Sequence, residues 1–195
     1  MNTSKISFQG PISPFVQTCF LTALGAFPAL EQHPIQLRML PLGKTTMQAQ
    51  PMLNWNLWNL QRRGYYVDIN SQISLALPLR PDELPEKVLV GWFAHELGHV
   101  MDYRQRGLFN LIFLGLGYIL SSRIRKQVEQ QADLQALAAG MGEEVLATKR
   151  FLLNHRDLPE TYKRRLGRYY LSEEKFALLL HEQGERNSAI LPKED

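Results

Sequence analysis

The 195-residue sequence has a single cysteine, Cys19. That excludes an internal disulfide framework and any metal site built from several thiolates; we expect Cys19 to be a buried, inert thiol. Charge of one sign is scarce too, since Lys and Arg outnumber Asp and Glu by only 22 to 19, a net +3. So small a surplus leaves no electrostatic footprint for nucleic acid, and none is expected as a partner. No apolar run reaches the roughly 20 residues that cross a bilayer, and no repeat or low-complexity tract is visible. What remains, 45% hydrophobic and 21% charged residues, is a globular chain of one-domain length that can bury a core. Histidine is rare as well, at five, so any clustering of histidines is informative.

Residues 14–27 (PFVQTCFLTALGAF) are apolar and end at Pro28. Only Lys5 precedes them as a positive charge and no small-x-small site follows, which makes a poor secretory signal. We expect a core helix that starts at Pro14, a residue suited to a first helical turn. Residues 35–40, 45–50 and 65–69 are β-prone and predict two to four strands of a small sheet, with turns at 41–44 and 61–64. Trp55, Trp58 and Leu60 lie between them and are expected to form a core cluster. Pro78, Pro81 and Pro85 then lead into a predicted helix over 86–105, with Asp82, Glu83 and Glu86 at its N-terminus. Gly107 ends it. A very apolar stretch, Leu108–Leu120, follows; then Ser121 or Ser122 starts a helix that stops near Gly140. Helices are predicted at 143–154, 160–170 and 173–183, before a polar, frayed tail.

Within the 86–105 helix, His95, Glu96 and His99 form H-E-x-x-H. Residues four apart on a helix differ by about 40° and about 6 Å along the axis, so both imidazoles leave one face and can meet one ion. Glu96 sits about 100° around, within reach of a metal-bound water as a general base. With five His and thirteen Glu in the chain, shuffling yields about 0.008 such matches, so accident is a poor explanation. Ala94, Leu97 and Val100 give this helix an apolar surface, and Gly98 suggests a close approach by another segment.

Two histidines do not complete a catalytic site, which usually has three protein ligands. Asp102 lies about 10 Å along the axis from His95, too far to share its ion, and reads as an outer partner or a surface charge. The metzincin pattern is absent, because positions 102 and 105 hold Asp102 and Gln105. A better third ligand lies on the next strong helix, where Glu129 and Asp133 are four apart. In this reading Glu129 ligates the metal while Asp133 accepts the N–H of a metal-bound imidazole, most plausibly that of His95.

HELGH at 95–99 together with E-x-x-A-D at 129–133 resembles the gluzincin metallopeptidases. The resemblance is nearest to the branch shared by membrane-bound CAAX and heat-shock proteases and by the small minigluzincins, and it covers about residues 33–140. It implies an α+β zincin with its catalytic core at 33–140; the pattern along the chain adds an N-terminal helical segment (1–32) and a C-terminal helical subdomain (141–195). It also implies zinc held by His95, His99 and Glu129, with Glu96 as general base in hydrolysis of a peptide or protein substrate. Relatives stabilise the tetrahedral oxyanion with a downstream Tyr, His or Arg; His155, Tyr162, Tyr169, Tyr170 and His181 are the candidates here. Gluzincins also offer an edge strand to the substrate backbone, and one of the strands before residue 70 should have that role.

Leu108–Leu120 is about 20 Å long as a helix, too short to span a bilayer. Arg104, Arg106, Arg123, Arg125 and Lys126 flank it. We expect a buried hairpin joining the two ligand-bearing helices; the competing reading is a shallow insertion at an anionic leaflet. The expected location is therefore cytoplasmic, or peripheral at the inner face of the membrane. Two other classes compete with the peptidase: a regulatory zincin-like module acting on one protein partner, and a non-catalytic, zinc-containing adaptor. The first usually carries a helix-turn-helix, and none is evident. The intact Glu96 argues against the second, because a structural site has no use for a general base.

Overall fold

The computed structural model describes residues 5–43, 45–71, 73–74, 78–156 and 158–190. β1 (Ile6–Gln9) leads through α1 (Pro14–Gly25) to β2 (Ile35–Leu40), which lies parallel to β1 with Ile6 opposite Ile35. Ser13 caps α1 by accepting the Val16 N–H at 3.3 Å, and Pro14 opens it, as a first-turn proline should. β3 (Met47–Pro51) and β4 (Tyr65–Asn70) complete a four-stranded sheet in the order β1-β2-β4-β3. β4 runs parallel to β2 and antiparallel to β3, so β3 is an edge. A minimal hairpin, β5 (Ile73–Ser74) with β6 (Pro78–Leu79), precedes the helical half. That half comprises α2 (Glu86–Arg104), α3 (Leu108–Leu120), α4 (Ser122–Ala138), α5 (Gly142–Asn154), α6 (Glu160–Tyr169) and α7 (Glu173–Ile190). The architecture is α+β.

The strands alternate as their period of two requires. Ile35, Leu37, Tyr65, Val67 and Ile69 are fully buried beneath α1 and α2, and the Phe20 and Phe93 rings of those helices meet edge-on at 5.3 Å. The opposite face of the sheet is polar and is organised by Asp68. Its carboxylate accepts from Arg38 Nε at 2.6 Å, Gln48 Nε2 at 3.1 Å and Gln50 Nε2 at 2.9 Å. These bonds tie β3 to β4 and fix the position of the edge strand, while satisfying a buried charge. Asn70 adds a second tie, donating to the carbonyls of Gly43 and Thr45 just before β3.

Two glycines of α2 set the helical half. A Cβ at Gly98 would lie 2.3 Å from the Ala132 carbonyl oxygen of α4, and one at Gly91 would lie 2.0 Å from that of Glu144 in α5. Only glycine lets backbones approach so closely. One buried apolar cluster runs from Ile12 to Phe176 and contains residues of α1, the sheet, α2, α4, α5 and α7. Gly140, at φ 81°, supplies the left-handed turn after α4, and Ser121 caps that helix by accepting from the Ile124 N–H.

Several expectations need correction. β1 was not anticipated, because its apolar–polar alternation runs for only four residues, of which three are exposed. Trp55, Trp58 and Leu60 are not core: Trp55 is 97% exposed and Trp58 65%, on a short 3-10 turn between β3 and β4. That turn projects past the sheet, whose buried face is already filled. Leu108–Leu120 is not a buried hairpin either. α3 has no buried residue, because Gly98 lets α2 and α4 touch directly and leaves no space between them for a spacer. Finally, α7 continues to Ile190 beyond its expected end at 183. Lys44, in the expected 41–44 turn, lies outside the described residues, as do the last residues of the expected tail.

Candidate metal centre

α2 and α4 cross with Gly98 against Ala132, and this close approach brings the chemistry together. His95 and His99 occupy the α2 face turned toward α4, with Glu96 beside them toward Ala49 of β3; Glu129 and Asp133 occupy the α4 face turned back. All five are buried. Glu129 Oε2 lies 3.2 Å from His95 Nε2 and 3.5 Å from His99 Nε2. Two atoms each about 2.1 Å from a tetrahedral ion stand about 3.4 Å apart, so the observed separations are compatible with ligands around one metal. The ligand atoms of all three residues fall within 4.8 Å of one another. This group can hold a metal ion.

The surroundings support that geometry. His95 Nδ1 donates to Asp133 Oδ1 at 3.0 Å, leaving Nε2 to face the centre. Asp133 Oδ2 in turn accepts from Lys149 Nζ at 2.8 Å and from the Leu171 N–H at 3.2 Å. Such a carboxylate fixes the ring orientation and raises its basicity. On the other side, the Tyr118 hydroxyl of α3 donates to Glu129 Oε1, so only Oε2 turns toward the histidines. His99 Nδ1 is buried and has no hydrogen-bond partner among the described residues.

The electrostatics separate the carboxylates by role. Burial disfavours the charged form of His95, but hydrogen bonds to Asp133 and Glu129 outweigh it and push its pKa up from 6.5 to about 10. Burial also disfavours ionised Glu129, yet its bonds to His95 and His99 hold its pKa well below the usual carboxylate value. Asp133 is lowered likewise, against burial, by His95 and Lys149. Glu96 goes the other way. Burial raises its pKa, only partly opposed by the charges of His99 and His95 and a hydrogen bond from the backbone of Ala49. The two carboxylates are thus shifted in opposite directions, Glu129 down and Glu96 up.

A cleft of about 510 Å³ opens onto this centre. Its walls include β3 from Met47 to Pro51, Glu96 and His99 of α2, Tyr118 of α3, and Tyr162 and Arg165 of α6. The edge strand thus lies along the cleft, as an added peptide strand would require. A smaller cavity of about 180 Å³ lies on the other side of His95, between Trp92, Lys149 and Tyr170.

Of the five oxyanion candidates, Tyr162 and Tyr170 line both cavities, and the Tyr170 ring packs 5.3 Å from that of His95. The others lie elsewhere. Tyr169 is buried against Arg125 and Arg168, His155 packs on Phe151, and His181 is exposed on α7 near Glu185. Asp102 does not serve the centre, since its carboxylate accepts from Arg106 Nε at 2.7 Å and Nη2 at 2.9 Å. Sequence reasoning missed Tyr118, Lys149 and Arg165. Tyr118 had a signal, a lone phenol in an otherwise apolar helix; Lys149 and Arg165 had none, lying among other basic residues.

No family model, curated protein or solved structure matches the chain.

Proposed function

We propose that the protein is a zinc-dependent peptidase. The observation that carries this reading is the buried His95–His99–Glu129 group opening into a cleft that also holds Glu96 and an edge strand. Two imidazoles with one carboxylate suit zinc, and three protein ligands leave a position for water. When bound, zinc supplies Lewis acidity, which lowers the pKa of a water toward 7 and polarises a substrate carbonyl.

The chain's own groups do the rest. β3 receives the substrate backbone as an added strand and aligns the scissile bond along the cleft. Glu96, whose burial raises its pKa and so makes its ionised carboxylate a stronger base, takes the proton of the attacking water and delivers it to the leaving amine. Tyr118 holds the second oxygen of Glu129, so the ligand keeps one orientation. Asp133, backed by Lys149, does the same for His95. Tyr162 and Arg165, which line the same cleft, would donate to a developing oxyanion. The reading favours the gluzincin arrangement, with sheet and α2 above the site and α4 below.

Zinc analysis combined with peptide cleavage tests it. The purified protein should carry one zinc per chain, lost in Glu129→Ala. Glu96→Gln should keep the metal and lose cleavage by about 100- to 10,000-fold. Full zinc retention in Glu129→Ala would remove the third ligand, and undiminished cleavage in Glu96→Gln would remove the base.

A further inference from the structure

α3 exposes apolar residues that no other described part of the chain covers. Phe109, Ile112, Phe113, Leu116 and Leu120 follow the spacing of one helical face and are 49% to 81% exposed. The turn between β3 and β4 extends this face with Leu53, Trp55 and Trp58, and the Trp58 ring meets Phe109 edge-on at 6.5 Å. The two parts are locked together. Arg63, fully buried, donates to the Leu57 carbonyl in the tryptophan turn and to the Tyr103 and Arg106 carbonyls at the end of α2, just before α3. The patch is therefore a fixed platform. Contiguous exposed apolar surface of this kind marks an interaction site.

Charge selects the partner. From Tyr103 to Val128 the chain has five basic residues and no acidic one except where Asp102 and Glu129 bound the stretch; the segment from Gln32 to Val67 likewise has no Asp or Glu. Arg62, Arg123 and Lys126 are exposed around the apolar face. A symmetric pair of copies would press this basic rim against itself. An anionic lipid surface complements it, and tryptophans at an apolar–polar boundary are typical of membrane interfaces. α3 and α4 meet at 116°, and α4 carries Glu129 and Asp133 into the protein interior, so the pair does not form a span. α3 can lie only in the plane of the interface.

We propose that α3 and the tryptophan turn dock the protein on an anionic lipid bilayer. The other side of α3, through Leu111, Leu114 and Tyr118, forms a wall of the cleft, so docking brings the cleft mouth to the lipid surface. On the peptidase reading, the substrate is then a polypeptide segment at that surface.

Intrinsic tryptophan fluorescence tests docking directly, because Trp55 and Trp58 are exposed whereas Trp92 is buried and supplies a constant background. The titration uses the Glu96→Gln full chain and phosphatidylcholine vesicles with or without phosphatidylserine. Docking predicts a blue shift with the anionic vesicles and quenching by brominated lipid. Trp55→Ser with Phe113→Ser should abolish binding while leaving zinc content unchanged. Arg123→Glu with Lys126→Glu should weaken it more than tenfold, since each charge near an anionic surface is worth roughly fivefold. Absence of any shift at low salt overturns the proposal, as does binding that ignores lipid charge. So does a solution dimer that ignores vesicles and dissociates in the Trp55→Ser, Phe113→Ser variant. Vesicle binding is read without turnover, so failure to dock and failure to cleave are separate outcomes.

Discussion

Gly98→Ala tests the packing on which the metal centre depends. The new Cβ would stand 2.3 Å from the Ala132 carbonyl oxygen, against 3.4 Å for an ordinary contact, so α4 must retreat by about 1 Å. Glu129 and Asp133 ride on α4, three residues before Ala132 and one after it. A retreat of that size stretches the 3.2 Å and 3.5 Å separations between Glu129 and the histidines to about 4.2 and 4.5 Å, well beyond the roughly 3.4 Å expected of two ligands on one ion. Overpacking costs about 1–3 kcal/mol, and the helix gains about 1 kcal/mol on replacing glycine with alanine. The net effect is a loss of up to about 2 kcal/mol together with at least a tenfold fall in metal affinity. Urea unfolding of the metal-free protein and competition against a chromophoric chelator measure the two effects. Gly167→Ala in α6 is the control. No heavy atom lies within 4 Å of its added Cβ, so it should stabilise by about 0.4–1 kcal/mol. If Gly98→Ala stabilises the protein equally and binds metal as the parent does, the argument from close approach is refuted.

Asp133→Asn should weaken metal binding about 10- to 100-fold in the same competition assay; unchanged affinity would deny Asp133 its role behind His95. Lys149→Met leaves the buried Asp133 charge with one cationic partner fewer and should cost about 3 kcal/mol in urea unfolding, part of it recovered by adding Asp133→Asn. An unaltered unfolding curve for the single variant would contradict the buried pair. The metal-free protein should also lose stability with rising pH. His95 is raised from 6.5 to about 10, so its contribution is complete below pH 6.5 and lost as pH climbs toward 10. Glu129 and Asp133 are lowered, so theirs is present above the ordinary carboxylate range and lost only as pH falls through their folded values. Melting temperatures of chelator-treated protein should therefore decline from pH 6.5 to 10, while metal affinity rises as His95 gives up its proton more easily; a flat melting profile would count against the His95 clamp.

The residues of the candidate metal group were legible in the sequence because helical geometry is local. Four-residue spacing alone puts His95 with His99, and Glu129 with Asp133, on common faces. Gly98 was legible as a point of close approach for a similar reason, since its cost within a helix demands compensation. The strands at 35–40 and 65–69 and the boundaries of α1, α2 and α4 followed from alternation, proline and serine caps. Tyr118 and Lys149 were not legible, since their partners lie 11 and 16 residues away and no periodicity links them. The same locality misled at Trp55, Trp58 and α3. Apolar residues were assigned to a core, but which apolar surface is covered depends on how much space the other elements leave. Thus sequence alone determined the donor types and their faces, through spacing and side-chain chemistry. Tertiary structure decided that the two donor faces meet, that β3 is the free edge beside them, and that α3 turns outward, because each of these depends on contacts between segments far apart in the chain.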